Sequence, residues 1–209
     1  MAIAEREVAT PVQSVSEDID ETFVPKPYRW TREQFYEMGD AGLFEGRRSI
    51  LINGEILSMP AMKEAHRASL ILADQALREA FGSQFFLSMQ CPFDIGDATD
   101  PEPDIAVIRG GIRDFTGRGL TEAALIVEVS DTTYAYDRRE KASLYASAGV
   151  QDYWIIRLKT RQLEVRRQPV PDEAQPFGFG YSELTVHDSG TLVQPLSAPH
   201  PVAVSALLP

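Results

Sequence analysis

The sequence predicts an α/β (α+β) fold in which helices flank a central mixed β-sheet, with additional β-hairpins on the N-terminal and C-terminal sides. Short apolar runs that suit strands covered on both faces occur at 85–89, 105–108 and 125–129. Two stretches, 63–81 and 136–148, have apolar residues at helical spacing. Because strands and helices alternate along the chain, we expect a mixed sheet with helices packed on its faces.

Length and composition indicate one folded domain. The chain has 209 residues, of which 44% are hydrophobic, and this is enough for one domain with a substantial core. Residues 1–27 are rich in acids, Ser, Thr and Pro, a composition that predicts a flexible acidic leader. We therefore expect a single domain over residues 28–209.

The first part of this domain carries a helix start signal and a turn signal. Thr31 and Gln34 have the spacing of a capping box, which predicts a short helix after Thr31. Asn53 and Gly54 lie between two apolar runs and suit a tight type I′ turn. Residues 50–57 are therefore predicted to form a β-hairpin.

Glycines and changes of composition mark the later elements. Gly82 and Gly149 follow the two predicted helices and suit helix ends. After Lys159 the sequence becomes typical of β-hairpins, with turns rich in Pro and Gly. Strands are expected at 153–158, 163–167, 181–187 and 191–194.

The charge balance argues against a broad surface for nucleic acid. The chain has 20 Lys plus Arg against 31 Asp plus Glu, for a formal net charge of −11. Proteins that bind nucleic acid usually present a basic face. A nucleic-acid function must therefore depend on a local basic patch, helped by a divalent cation that offsets acidic ligands.

Cysteine content and hydropathy exclude other classes of protein. Cys91 is the single cysteine, so we expect neither an intrachain disulfide nor a cysteine-rich zinc site. No stretch approaches the run of about 18 apolar residues that spans a bilayer. The first residues lack the apolar core of a secretory signal. We expect a cytoplasmic protein without a membrane partner.

Two acidic residues are unusual because of the apolar strands around them. Asp104 follows Pro103 at the start of one predicted strand, and Glu128 lies within another. A carboxylate in an apolar strand is costly unless it is paired or binds a cation. If the strands are neighbours, both side chains converge on one site, where their oxygens and water suit Mg²⁺. A structural salt bridge to Arg or Lys explains the same spacing equally well.

Lys141 is the candidate third member of this site. It lies on the helix predicted after Glu128 and shares one helical face with Asp137 and Tyr145, each four residues away. A lysine there could orient a water nucleophile or stabilise the charge that develops on a phosphate. An exposed ion pair with Asp137 is the alternative.

The region around these residues resembles one family of nucleases. The stretches PDIAVI, LIVEVSDTT and YDRREKASLYASAGVQDYWII are similar to the core of the Uma-type restriction endonuclease family, within the broad PD-(D/E)xK nuclease superfamily. The resemblance is specific over residues 103–156 and covers 28–200 in general layout. It implies a restriction-endonuclease-like fold and metal-dependent hydrolysis of phosphodiester bonds.

The resemblance also implies roles for individual residues. Asp104 and Glu128 match the two motif acids and would bind Mg²⁺ or Mn²⁺. Ser130 stands where the superfamily usually has its lysine, and Lys141 resembles a lysine that has migrated to the following helix. The looser upstream match adds two accessory candidates, Glu55 and His66.

Both accessory candidates have simpler explanations. Glu55 follows the predicted turn and could be a surface acid, and His66 could be an exposed or hydrogen-bonded helical histidine. Family members often carry an acid just before the segment LINGE, where this chain has Ile50.

Arginines are the candidates for contacts to substrate phosphates. The glycine-rich loop RGGIRDFTGRG, where the backbone can approach a ligand closely, carries Arg109, Arg113 and Arg118. Arg138 and Arg139 are further candidates, and each arginine could equally be a solvated surface charge. We expect a nucleic-acid partner, with DNA favoured, and a homodimer whose contact could include the C-terminal hairpins and the apolar segment 202–208.

Other functions are compatible with the same residues. The chain could be a nuclease-like binding module without turnover, because fold does not fix function. Ser130 with Asp131 and either His66 or His187 supplies the groups of a hydrolase triad, although the G-x-S-x-G elbow is missing. Two carboxylates could also act on a glycoside, although no aromatic-rich sugar platform surrounds them.

Overall fold

The predicted α+β fold is confirmed. A computed structural model of the chain describes residues 24–117 and 119–209. A six-stranded mixed sheet lies at the centre, and helices cover both of its faces. The predicted leader, residues 1–27, lies mostly outside the described residues, so the boundary between leader and domain stays a prediction.

The helices are α1 Arg32–Asp40, α2 Glu64–Phe81, α3 Tyr134–Tyr136 and α4 Ala142–Ser147, with a π-helical turn, Asp137–Lys141, between α3 and α4. The strands are β1 Arg48–Ile52, β2 Glu55–Met59, β3 Phe85–Met89, β4 Ile105–Arg109, β5 Leu125–Ser130, β6 Asp152–Arg157, β7 Gln162–Pro171, β8 Phe179–Asp188, β9 Leu192–Val193 and β10 Val202–Ala203. Short 3₁₀ turns are Gly82–Gln84, Ile112–Phe115 and Val204–Leu207. Within the described part of the chain, no helix is long and apolar enough to cross a membrane.

Local signals place the N-terminal elements as predicted. The Thr31 side chain accepts a hydrogen bond from the Gln34 backbone, and the Gln34 side chain accepts one from the Thr31 backbone, so α1 begins with a capping box. β1 and β2 form the predicted hairpin. Asn53 and Gly54 have φ values of 49° and 73°, as a type I′ turn requires.

The central sheet has the strand order β3-β4-β5-β6-β7-β8. β5 and β6 are parallel and are joined through the helical segment 134–147, while all other neighbours are antiparallel. Side chains alternate between the faces along each strand. Ile105 and Val127 meet α2 on one face, whereas Ala106 and Ile126 meet α4 on the other.

The apolar segment 202–208 belongs to the core of its own chain. Val202, Val204 and Leu207 are at most 3% exposed and pack on the α2 face of the sheet. The Leu207 carbonyl accepts a hydrogen bond from the Ser69 hydroxyl of α2. The expectation that this segment forms a dimer contact is therefore wrong. An apolar run near a chain end can cover a sheet face of the same chain.

Candidate active site

Antiparallel pairing of β4 with β5 brings the two motif acids together. Ile105 pairs with Val127, so Asp104, just before β4, lies beside the second half of β5, which carries Glu128. The Val129 backbone N–H donates to Asp104 Oδ2 at 2.9 Å and fixes this arrangement. Asp104 and Glu128 are 4% and 2% exposed, so both carboxyl groups are buried.

Asp104 accepts hydrogen bonds from three groups. Besides the Val129 N–H, Gln90 Nε2 and His66 Nε2 both contact its Oδ1, at 3.1 and 3.2 Å. Burial opposes ionisation of this carboxyl group. The hydrogen bond from His66 and the charge of Lys141 outweigh burial and lower the pKa of Asp104 to about 2. The accessory candidate His66 therefore contacts the first motif acid.

Gln90 is a site residue that the sequence did not reveal. Its φ of 50° lies in the left-handed region, which residues other than glycine rarely adopt. Its backbone N–H lies 3.1 Å from the Pro103 carbonyl oxygen and 3.3 Å from that of Asp104. This local turn directs the Gln90 side chain toward the Asp104 carboxylate. The only available signal was its position directly after a predicted strand.

The π-helical turn carries Lys141 to Glu128. Such widened turns occur often at functional sites. Lys141 Nζ lies 2.8 Å from Glu128 Oε2 and 3.7 Å from Asp137 Oδ1. The Tyr145 hydroxyl, on the same helical face, donates to Glu128 Oε1 at 2.9 Å. One helical segment thus contacts both carboxylate oxygens of Glu128. The sequence placed Tyr145 on the same helical face as Lys141 but did not predict its hydrogen bond to Glu128.

Three buried carboxyl groups surround one buried ammonium group. Asp104, Glu128, Asp137 and Lys141 are each at most 4% exposed. Burial raises the pKa of Glu128 to about 8, because Lys141 offsets burial only in part and Asp104 adds to it. Burial also raises the pKa of Asp137. Burial disfavours the Lys141 ammonium, but the carboxylates, Glu128 foremost, overcome this effect and raise its pKa. The cluster therefore has an excess of negative charge when all three acids ionise.

This excess predicts a pH-dependent stability. The folded chain holds the Glu128 proton up to about pH 8, whereas the unfolded chain releases it near its ordinary value of 4.5. The stabilisation is present below 4.5 and is lost as the pH rises through about 8. In EDTA, the free energy of unfolding should fall from about pH 5 to pH 9, by at most about 1.4 kcal/mol per pH unit. Denaturant unfolding at several pH values measures this free energy.

The matched variant for this measurement is Glu128→Gln, which has no proton to release. Its free energy of unfolding should change much less over the same pH range. The lowered pKa of Asp104 acts in the opposite direction, with stabilisation lost only as the pH falls through about 2, outside the measured range. An equal slope in the parent and the Glu128→Gln chain would contradict the assignment to Glu128.

The donor set fits a hard divalent cation. Mg²⁺ prefers oxygen ligands and retains several waters, so it needs few protein ligands. A cation beside Asp104 and Glu128 would also offset the excess negative charge. Among residues 24–117 and 119–209, no group of three or more His, Cys, Asp or Glu side chains could hold a metal ion by itself. The two carboxylates with water therefore fit Mg²⁺ or Mn²⁺ better than a zinc site closed by protein ligands.

Ser130 does not form the hydrolase triad that its neighbours in sequence suggested. Its buried hydroxyl is near enough to Asp137 to lower the pKa of that acid, but it makes no hydrogen bond of normal geometry to any described residue. His66 contacts the first motif acid, and His187 bonds to Thr185 at 2.9 Å. Within the described ranges, no histidine therefore activates Ser130.

A cleft opens over the buried cluster. Asp104, Glu128 and Lys141 line it together with the connection between β2 and α2, the loop after β5 and the π-helical turn. The buried acids are therefore accessible from one side of the molecule.

The arginines predicted to contact phosphates lie away from this cleft. Arg109 is the last residue of β4, about 17 Å along the strand from Asp104 at about 3.4 Å per residue. Its guanidinium lies 4.7 Å from the centre of the Phe85 ring. Arg113 is exposed in the 3₁₀ turn that follows β4, and Arg118 lies outside the described residues. The structure therefore does not bring Arg109 or Arg113 to the two acids, because β4 carries the glycine-rich loop to the opposite end of the sheet.

The remaining candidates have surface positions. Glu55 forms a 2.5 Å ion pair with Arg29 at the hairpin turn, and both side chains are about half exposed. Arg138 lies 5.5 Å from the centre of the Tyr134 ring, and Arg139 is exposed beside Glu140. Neither Glu55 nor these arginines line the cleft.

A mixed sheet with two acids where β4 and β5 meet, and a lysine from the next helix, places the chain in the restriction-endonuclease-like class. The sequence matches the Uma2 family, described as “Putative restriction endonuclease”, over residues 32–199, and the chain belongs to that family. The resemblance seen in the sequence is thus confirmed.

A solved structure shows the same fold. It is described as “a putative nuclease belonging to DUF820” from Anabaena variabilis ATCC 29413. The two chains are 18% identical and superpose with a TM-score of 0.64, over 85% of this chain and 96% of the other. The comparison with curated proteins gives no match.

Proposed function

We propose that this chain is a metal-dependent endonuclease that hydrolyses phosphodiester bonds of nucleic acid, with DNA as the favoured substrate. The observation that carries the proposal is the buried cluster of Asp104, Glu128 and Lys141 at an open cleft, in a member of the Uma2 family. A structural salt bridge needs one acid for one base. Two further buried acids beside the Lys141–Glu128 pair add cost without a bound cation.

Each residue of the cluster has a distinct role in this proposal. Asp104 and Glu128 would hold Mg²⁺ or Mn²⁺, and the chemistry supplied by such an ion would be Lewis-acid activation of a phosphodiester oxygen and of water. His66 favours the ionised form of Asp104 through Oδ1, and Tyr145 orients Glu128 through Oε1. These contacts keep both carboxylates in place before substrate arrives.

In this proposal, Lys141 neutralises charge on the reacting phosphate. Its ammonium has three protons, and Glu128 Oε2 accepts one of them at 2.8 Å. Asp137 at 3.7 Å is beyond hydrogen-bonding distance, so it attracts the ammonium without using a proton. The remaining N–H groups can therefore donate to a phosphate oxygen, which carries increasing negative charge during hydrolysis.

The oligomeric state and the cellular location of the enzyme are further proposals. A homodimer would supply one site for each strand of a duplex. A cytoplasmic location stays a prediction from the sequence. The second candidate function is a catalytically inactive binding module on the nuclease fold, supported by Ser130 at the usual lysine position and by the acidic charge balance.

A cleavage assay tests the proposal. Supercoiled plasmid, single-stranded DNA and RNA of matched sequence are incubated with the protein in Mg²⁺, Mn²⁺ or EDTA. We expect DNA cleavage only with metal, and recovery when metal is restored after EDTA. Activity must follow the protein through size-exclusion chromatography, which also reports its oligomeric state. Metal binding by calorimetry without cleavage of any substrate would favour the inactive binding module.

A further inference from the structure

A short connection separates the cleft from a second groove. Residues 60–63, called the strap below, join β2 to α2 and line the cleft above Asp104 and Glu128. The first part of the strap also lines a neighbouring surface groove, whose other wall includes Arg47 and Gln90. The strap is therefore the partition between the cleft and this groove.

Few interactions hold the strap in place. Among the described residues, the backbone N–H groups of Ala61 and Met62 donate no hydrogen bond, and Pro60 has no N–H. Met62 packs partly buried against the core on the α2 face. Lys63 is held at two points: its carbonyl oxygen accepts a hydrogen bond from the Arg67 N–H of α2 at 3.0 Å, and its Nζ lies 3.0 Å from Asp131 Oδ2 across the cleft. Segments with so few backbone hydrogen bonds open easily.

The ion pair is weak and well placed for exchange. The Lys63 side chain is 63% exposed, and such exposed pairs contribute little to stability. Asp131 follows β5 by one residue, so its carboxylate lies at the cleft rim near the Glu128 site. A carboxylate oxygen contacts the lysine ammonium much as a phosphate oxygen would. A polyanion that enters the cleft therefore competes with Asp131 for Lys63.

The neighbouring groove offers a further cation. Arg47 is exposed, and its guanidinium has no acidic partner among the described residues. Arg48 lines both the groove and the cleft, although Glu102 pairs with it at 2.9 Å. Displacement of the strap would join the two spaces into one channel with basic residues along it. A channel of this kind suits an extended polynucleotide strand.

We propose that Lys63 binds a backbone phosphate of a nucleic-acid strand, and that Asp131 pairs with the Lys63 ammonium group until the strand binds. This role for Lys63 rests on the proposed nuclease function. It adds a phosphate contact outside both the catalytic motif and the glycine-rich loop. When the strand enters, Lys63 exchanges Asp131 for a phosphate oxygen, the strap shifts, and the strand continues toward Arg47. Asp131 thus weakens substrate binding in this protein.

Two substitutions separate the two halves of the ion pair. Asp131→Asn keeps the shape but removes the competing charge, so an oligonucleotide should bind roughly 3- to 10-fold more tightly. Lys63→Met keeps the aliphatic stem and removes the phosphate contact, so binding should weaken by a similar factor. The negative slope of log affinity against log salt should then become shallower by about 0.7 to 0.9, as the loss of one phosphate contact requires.

The experiment uses a fluorescein-labelled oligonucleotide of about 20 nucleotides, single-stranded or duplex, in EDTA to prevent cleavage. Fluorescence anisotropy gives the affinity over roughly 50 to 200 mM NaCl. Hydrogen–deuterium exchange of the Arg67 amide, which donates to the Lys63 carbonyl oxygen at 3.0 Å, reports displacement of the strap without reference to activity. Asp131→Asn should accelerate this exchange in the free protein. The matched control is Arg78→Met, which removes an exposed base paired with Asp74 on α2, outside the cleft, and should change neither readout.

The outcomes distinguish the parts of the proposal. Unchanged affinity and salt slope in Lys63→Met, with binding intact, would overturn Lys63 as a phosphate ligand. Unchanged exchange of the Arg67 amide in Asp131→Asn would overturn the role of the ion pair in holding the strap. Failure of every form to bind any oligonucleotide would overturn Lys63 as a phosphate ligand, whereas the nuclease function is decided separately by the cleavage assay with metal.

Discussion

Asparagine in place of Asp104 should reduce metal-dependent cleavage by more than about 100-fold while the chain stays folded. Loss of an outer partner of a metal ligand already costs about 10- to 100-fold, and Asp104 is proposed as a ligand itself. The amide keeps the shape and one oxygen that can still accept from the Val129 N–H. It loses the negative charge and one oxygen that could bind a cation. Plasmid cleavage rates, with metal affinity from calorimetry, measure the effect.

The substitution also has a stability cost that can be estimated. A pKa of about 2 for Asp104, against an ordinary value of 3.8, corresponds to about 2 kcal/mol of stabilisation at neutral pH. The control is Asp74→Asn, which removes another ion-paired aspartate, 2.8 Å from Arg78 on α2. That variant should cleave DNA like the parent. Parental cleavage by a folded Asp104→Asn chain would rule out Asp104 as a metal ligand.

Much of the fold could be predicted from the sequence because local and nonlocal signals agree. The capping box at Thr31, the turn at Asn53 and the helix end at Gly82 all occur where their residue types require. Apolar runs and apolar periodicity gave the approximate positions of the other strands and helices. The π-helical turn Asp137–Lys141 was not predicted, because its residues also suit an ordinary α-helix. The packing of segment 202–208 could not be predicted, because the sequence does not show which part of the sheet face α2 leaves uncovered.

The site was predictable only in part, for physical reasons. Asp104 and Glu128 were visible because carboxylates are rare in apolar strands. Lys141 depended on the family resemblance, since a lysine on a helix is usually exposed. Gln90 gave no signal beyond its position after a predicted strand, because its contact depends on a left-handed backbone conformation that side-chain patterns do not encode. Arg109 was a candidate because of its glycine-rich loop, and the composition of a loop does not show that β4 places it about 17 Å from Asp104.

Methionine in place of Lys141 should abolish cleavage and also destabilise the fold. The substitution keeps most of the aliphatic stem but leaves Glu128 and Asp137 buried without their ammonium partner. Removal of one member of a buried ion pair typically costs about 3–5 kcal/mol. The cost should be smaller at low pH, because Glu128 has a raised pKa and can take up a proton. Denaturant unfolding of the parent and the Lys141→Met chain at about pH 6 and pH 9 measures the stability cost at each pH.

A double substitution separates structural from chemical roles of this pair. In Lys141→Met with Glu128→Gln, the buried charge that lacked a partner is gone, and the glutamine oxygen can still accept from the Tyr145 hydroxyl. Stability should therefore recover by a large part of the loss in Lys141→Met, since the two substitutions are strongly coupled. Cleavage should not recover, because the double variant lacks both a metal-binding carboxylate and the cation that meets the phosphate. If the pair were only a structural salt bridge, the refolded double variant would cut DNA at the parental rate.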